Sequence, residues 1–212
     1  MTAKPTEDLL AVGCGCEPHT GSTRNVEPGG AALGSCSMAS RTVPERITWA
    51  VDQIQVAPGQ RILEIGCGRG VAISLICDRL ETGLVSGIDR SSTAVEAASA
   101  LNARHLASGL ATLRTVSLED LQPPGLAFDT VFAVNVNLFW VRPPGQELEK
   151  IRRMLAPGGT LHLIYEPPSG DKARSTAETT ETALEQAGYA VTTCTATARS
   201  GATLLCLTGR PR

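Results

Sequence analysis

Aromatic residues make up only 3% of the 212-residue chain, so a ligand pocket has few flat side chains on which to stack a ring, and Trp140 and Tyr165 stand out for that reason. No apolar run approaches the roughly 20 residues that a membrane-spanning helix needs. Basic charge is equally short: 19 Lys and Arg stand against 21 Asp and Glu, for a formal net charge of −2. Without a basic excess there is little to neutralise phosphates, which argues against nucleic acid as the partner. The opening residues, Met1-Thr-Ala-Lys-Pro-Thr-Glu-Asp8, lack the basic stretch followed by an apolar one that marks a secretory leader. These shortages leave a cytoplasmic protein, off the membrane and acting on small molecules, as the expectation.

Seven cysteines are an odd count for a disulfide scaffold. Cys67, Cys77, Cys194 and Cys206 fall inside expected core elements, where cysteine serves as a small buried hydrophobe. Cys14-x-Cys16 lacks a two-residue gap and a matching second pair, and Cys36 stands alone, so no metal site is expected. Residues 1–40 are rich in Gly, Ser, Thr and Pro without a sustained period, the pattern of a flexible extension. Residues 41–212 then read as one globular domain, in line with 42% hydrophobic residues overall.

Within that domain strands and helices alternate. Thr42-Val-Pro-Glu45 is a capping box opening a helix to about residue 56, with Ile47, Ala50, Val51 and Ile54 on one face. Arg61–Ile65 is an apolar strand with little alternation, as in the buried centre of a parallel sheet. A helix over 71–80, a strand over 84–89, a helix opened by Thr93-x-x-Glu96 and running to about Leu106, and strands over 111–116 and 128–134 follow. A helix from about Pro144 to Leu155, a turn at Pro157-Gly158-Gly159 and a strand over 160–165 come next. Ser175-x-x-Glu178 caps a further helix, and strands over 190–197 and 203–208 close the chain around a turn at Ser200-Gly201. The fold this implies is a doubly wound, Rossmann-like α/β domain: a seven-stranded, mostly parallel sheet with one antiparallel strand near its edge and helices on both faces.

Gly66, Gly68 and Gly70 sit where the first strand turns into a helix, so a ligand can approach their backbone closely. The dinucleotide fingerprint is G-x-G-x-x-G, but position 71 is valine and the third glycine comes one residue early. Glu64-x-Gly66-x-Gly68-x-Gly70 after an apolar strand resembles motif I of the class I S-adenosylmethionine-dependent methyltransferases. Asp89, Phe128-Asp129-Thr-Val131 and Arg153-Met-Leu-Ala-Pro-Gly-Gly-Thr-Leu161 are similar to later motifs of that family, so the likeness spans residues 61–165.

The resemblance implies S-adenosyl-L-methionine as cofactor. It would be held by Glu64, Gly66, Cys67, Gly68, Gly70 and Arg90, with Asp89 at the ribose hydroxyls and the backbone of Asn135 beside the methionine part. Relatives often carry an aspartate after the third strand for the adenine amino group; here Ser117-Leu118-Glu119 stands at that place. Transfer from a sulfonium is a direct displacement, so the protein mainly positions the acceptor. The carboxyl ends of the strands bring Asn137, Phe139 and Trp140 forward as acceptor contacts, and Tyr165 and Glu166 as groups able to orient or remove a proton. No sizeable insertion follows the fifth strand, so cover must come from the first helix, where Trp49 lies off the apolar face, or from the extension. So sparse a cover suits a small-molecule methyl acceptor, and a homodimer is compatible with it.

Overall fold

The computed structural model describes residues 43–122, 125, 127–141 and 144–212. The extension with Cys14, Cys16 and Cys36, and Thr42 of the first capping box, lie outside the described residues. A seven-stranded sheet in the order β3-β2-β1-β4-β5-β7-β6 forms the domain. Its strands are β1 (Arg61–Ile65), β2 (Leu84–Asp89), β3 (Ala111–Thr115), β4 (Phe128–Val134), β5 (Leu155–Tyr165), β6 (Tyr189–Thr197) and β7 (Thr203–Pro211). The first five pair in parallel, while β7 lies antiparallel to both β5 and β6, so the single reversed strand is second from the edge. The helices are α1 (Glu45–Ile54), α2 (Val71–Cys77), α3 (Ser92–Leu101), α4 (Ala103–Ala107), α5 (Leu138–Val141), α6 (Gly145–Met154) and α7 (Gly170–Gln186). Among the described residues no helix is long and apolar enough to cross a membrane.

Alternation along the central strands builds two cores. Leu63, Ile65, Val131 and Ala133 face α6 and α7, where Leu148, Ile151 and Leu184 are fully buried. Ile62 and Phe132 face α1 and α2, against Ala50, Val51, Ile73 and Ile76. Trp49 packs at the margin of this second core and does not reach the ligand cavity described below. Tyr189 is fully buried, and its hydroxyl donates to the Leu148 carbonyl at 2.9 Å. Tyr189→Phe is expected to lower unfolding free energy by about 1 kcal/mol in a urea titration, the net contribution of one hydrogen bond.

Several helix starts differ from the sequence reading. Ser91, not Thr93, caps α3: its side chain accepts from Ala94 N at 3.3 Å. Asp89 decides this, because its Oδ1 accepts from Ser91 N at 2.9 Å and holds that residue extended. The expected single helix to Leu106 is interrupted at Asn102, whose side-chain amide donates to the carbonyls of Gly70 and Ala98, each at 2.9 Å. Ser169, the first residue after Pro167-Pro168, caps α7 ahead of the expected Ser175. Finally, Pro157-Gly158-Gly159 lies inside β5 as a bulge: Phe128 pairs with Leu155 and Thr130 with Thr160, leaving Asp129 opposite the intervening residues.

Candidate active site

The carboxyl ends of β1, β2 and β4, with the segments that follow them, line a cavity of about 720 Å³. Three pieces of chain shape it. In the turn after β1, the N–H groups of Gly66 and Cys67 both donate to the Ile88 carbonyl, at 2.8 and 3.0 Å, which folds the loop back onto β2. Gly66 has φ +72°, and a Cβ there would lie 2.7 Å from Val136 Cγ2, so no side chain fits. Where β2 ends, Asp89 joins two turns: Oδ2 accepts from Gly68 N and Oδ1 from Ser91 N, both at 2.9 Å. Each oxygen keeps a second lone pair, and the carboxylate lines the cavity.

At the end of β4, Asn135 adopts φ +54°, a conformation that asparagine tolerates better than most residues. Its N–H donates to the Ile164 carbonyl at 2.8 Å and its Oδ1 accepts from Glu166 N at 2.8 Å, so one residue ties the ends of β4 and β5 together. On the far wall, Ser117 Oγ donates to Asp120 Oδ2 at 2.8 Å and accepts from Asp120 N at 3.2 Å, closing a tight turn. Lys150 of α6 donates to the carbonyls of Leu118 and Glu119 and holds this turn down.

The structure thus brings Gly66, Asp89, Arg90, Ser117, Leu118, Glu119, Asn135 and Asn137 around one cavity. The remaining sequence candidates lie elsewhere. Gly68 meets the site through Asp89, Cys67 is buried with its thiol pushed up to about 12 by burial, and Gly70 packs against Ala98 and Asn102 at the start of α2. Phe139 and Trp140 border a second cavity of about 510 Å³, between α5 and α7. The Tyr165 ring is buried edge-on to Trp140, 6.4 Å between centroids, with its hydroxyl beside that of Thr180 and its pKa raised by burial. Glu166 pairs with Arg46 of α1 at 3.1 Å. Sequence reasoning did not single out Val136, Leu138 and Val141, which line the cavity. Val141 is 70% exposed, in a four-residue helix too short to display a period.

Glu64 lies beneath the glycine turn, on the same side of the sheet as Ile62. It is 3% exposed, and its Oε2 has no hydrogen-bond partner. Burial first, and the Asp89 carboxylate second, hold its pKa well above the usual carboxylate range. A buried acid raised in this way stabilises the fold below its unfolded pKa, and that contribution fades as pH climbs through the folded one. Glu64→Gln should therefore gain stability relative to wild type between pH 4.5 and 8 in paired urea titrations; a constant difference would show that the Glu64 carboxyl has the same pKa in the folded and unfolded chain, and so is not raised by burial.

Comparison with known proteins bears on the domain and its fold. Residues 62–159 match the methyltransferase-domain family. An uncharacterized methyltransferase of Bacillus subtilis, YdaC, is 29% identical over 123 residues, 58% of this chain and 65% of its own length. A trans-aconitate 2-methyltransferase of Delftia acidovorans is 28% identical over 52% of this chain and 40% of its own length. The chain thus spans less than two thirds of either relative. The crystal structure of a SAM-dependent methyltransferase from Aquifex aeolicus superposes with a TM-score of 0.62 at 17% identity, covering 76% of this chain and 88% of that one, which shows a shared fold. With the glycine turn after β1, the acidic end of β2 and the reversed β7 in place, residues 62–159 match a methyltransferase domain, and the sheet that carries them has the fold of a SAM-dependent methyltransferase.

Proposed function

We propose that the cavity binds S-adenosylmethionine and that the domain transfers its methyl group to a small-molecule acceptor. The observation that carries this reading is the Asp89 carboxylate, pinned at the cavity wall by Gly68 N–H and Ser91 N–H with acceptor capacity left for two ribose hydroxyls. The residues present fit the rest of the cofactor. Gly66 leaves its backbone bare, the orphaned Oε2 of Glu64 suits the methionine ammonium, and the Ser117–Glu119 turn flanks the adenine position.

When bound, the sulfonium supplies an electrophilic methyl group, and direct displacement needs no dedicated base. Asn135 holds the ends of β4 and β5 in fixed relation, so the cavity wall is set before any ligand arrives. Asn137, Leu138 and Val141 form the acceptor side, with Phe139 and Trp140 behind them. Tyr165, in its buried position, shapes that wall through Trp140, and Glu166 anchors α1 through Arg46.

The volume of about 720 Å³, within the roughly 300–1,000 Å³ of small-molecule sites, suits the cofactor, and a small acceptor is supported by a relative named for trans-aconitate. Residues 41–212 suffice for this reading, and protease treatment that removes residues 1–40 should leave ligand binding intact. Calorimetry with S-adenosylmethionine and its demethylated product, against NAD, tests the cofactor. Transfer of labelled methyl into a metabolite extract tests the reaction and identifies the acceptor. Binding of NAD alone, or of none of the three, would overturn the proposal.

A further inference from the structure

Cys194 and Cys206 are register partners in the antiparallel β6–β7 pair. Directly opposed residues of such a pair point to the same face of the sheet. Here that face is the one covered by α1: Cys206 is 1% exposed in the core beneath α1 and α2, and the Cys194 thiol donates to Gln53 Oε1 of α1 at 3.2 Å. Opposed residues in antiparallel strands have Cα atoms about 4.5–5.5 Å apart. That spacing falls inside the roughly 4.4–6.8 Å window a disulfide requires. Both thiols are free in the structure.

The two differ in access. Cys194 is exposed, on the wall of a polar cleft of about 830 Å³ bordered by His162, Thr208 and Arg210 at the amino end of β4, away from the ligand cavity. Cys206 lies behind it, its Sγ 3.8 Å from Thr208 Oγ1 and 4.0 Å from His162 Nδ1. An oxidant entering the cleft therefore meets Cys194 first, and the sulfur placed to resolve the product is Cys206.

The geometry points to a cross-strand dithiol at Cys194 and Cys206 that a peroxide converts to a disulfide. The Cys194 thiolate attacks a peroxide oxygen, giving a sulfenic acid and a hydroxide, which takes up the proton lost by the thiol and leaves as one water. The Cys206 thiolate then attacks that sulfur, forming the S–S bond and expelling the oxygen as a second water. Two thiols are oxidised, the peroxide is reduced to two waters, and no further reductant or oxidant is needed. Burial holds the Cys206 thiol up to about 12, so closure should be slow at neutral pH and accelerate as pH rises. Disulfide formation also removes the S–H that Cys194 donates to Gln53, and α1 loses one of its contacts with the hairpin.

The sequence provides a clean assay, because Arg199 lies between the two cysteines and tryptic cleavage there puts them on separate peptides. The full-length protein would be treated with hydrogen peroxide, alkylated, digested and mapped with and without reduction. The expected result is a reducible cross-link between the peptides carrying Cys194 and Cys206, formed faster at pH 8.5 than at pH 7 and absent in Cys194→Ser. Cys206→Ala, which keeps a small apolar group in the core, should instead accumulate Cys194 sulfenic acid that a dimedone probe traps. Over-oxidation of Cys194 in the wild type with Cys206 still free to alkylate, or a cross-link from Cys194 to any other cysteine, would overturn the assignment.

Discussion

Asp89→Ala should weaken binding of S-adenosylmethionine, or of its demethylated product, by ten-fold or more, read as Kd by calorimetry. Hydrogen bonds to a charged group contribute roughly 1.5–3 kcal/mol each, and 1.4 kcal/mol is a factor of ten. The substitution removes more than two ligand contacts. Asp89 also holds Gly68 N and Ser91 N, each at 2.9 Å, so the glycine turn and the cap of α3 lose their common anchor. Asp89→Asn separates the two roles. One oxygen remains to accept from a backbone N–H, but the new amide meets the other N–H as donor against donor, so affinity should fall between wild type and Asp89→Ala. An unchanged Kd in Asp89→Ala would remove the ribose assignment and with it the main support for the cofactor.

What the sequence made legible was whatever rests on buried pattern. β1, β2 and β4 begin and end at the expected residues, because a parallel central strand is an apolar run that stops at the first loop-favouring residue, here Gly66, Asp89 and Asn135. The reversed β7 was legible from a short turn between two β-rich runs, which only an antiparallel pair can accommodate.

Helix starts were less legible because Ser91, Ser92 and Thr93 are all able caps. The choice was made by Asp89, a tertiary anchor that local propensity does not contain. The same limit applies at the site. Asp89 and Asn135 are strand-end residues whose position follows from the strand, whereas Tyr165 also ends a strand yet turns into the core against Trp140. Which way a terminal aromatic points depends on the room left by α5 and α7, and a four-residue helix such as α5 leaves no periodic trace.

The three glycines of the motif are not equivalent, and substitution by alanine should separate them. At Gly70, φ is +74° and a Cβ would lie 2.6 Å from Asn102 Nδ2 and 2.8 Å from Ala98 Cβ. Left-handed backbone costs an alanine about 1–2 kcal/mol. Overpacking adds about 1–3 kcal/mol. Asn102 cannot simply withdraw, since its amide bridges the Gly70 and Ala98 carbonyls from a fully buried position. Gly70→Ala should therefore cost about 2–5 kcal/mol in urea denaturation, a large share of the roughly 5–15 kcal/mol that holds a domain folded. Gly68 is the control: φ is +51° but nothing lies within 4 Å of a Cβ, so Gly68→Ala should bear the backbone cost alone. Because Gly70 packs α2 against α3 and does not line the cavity, the folded fraction of Gly70→Ala should bind ligand nearly as wild type does, the reverse of Asp89→Ala. Equal stability of the two glycine variants would mean that the α2–α3 contact yields at no cost, and that the third glycine has some other role.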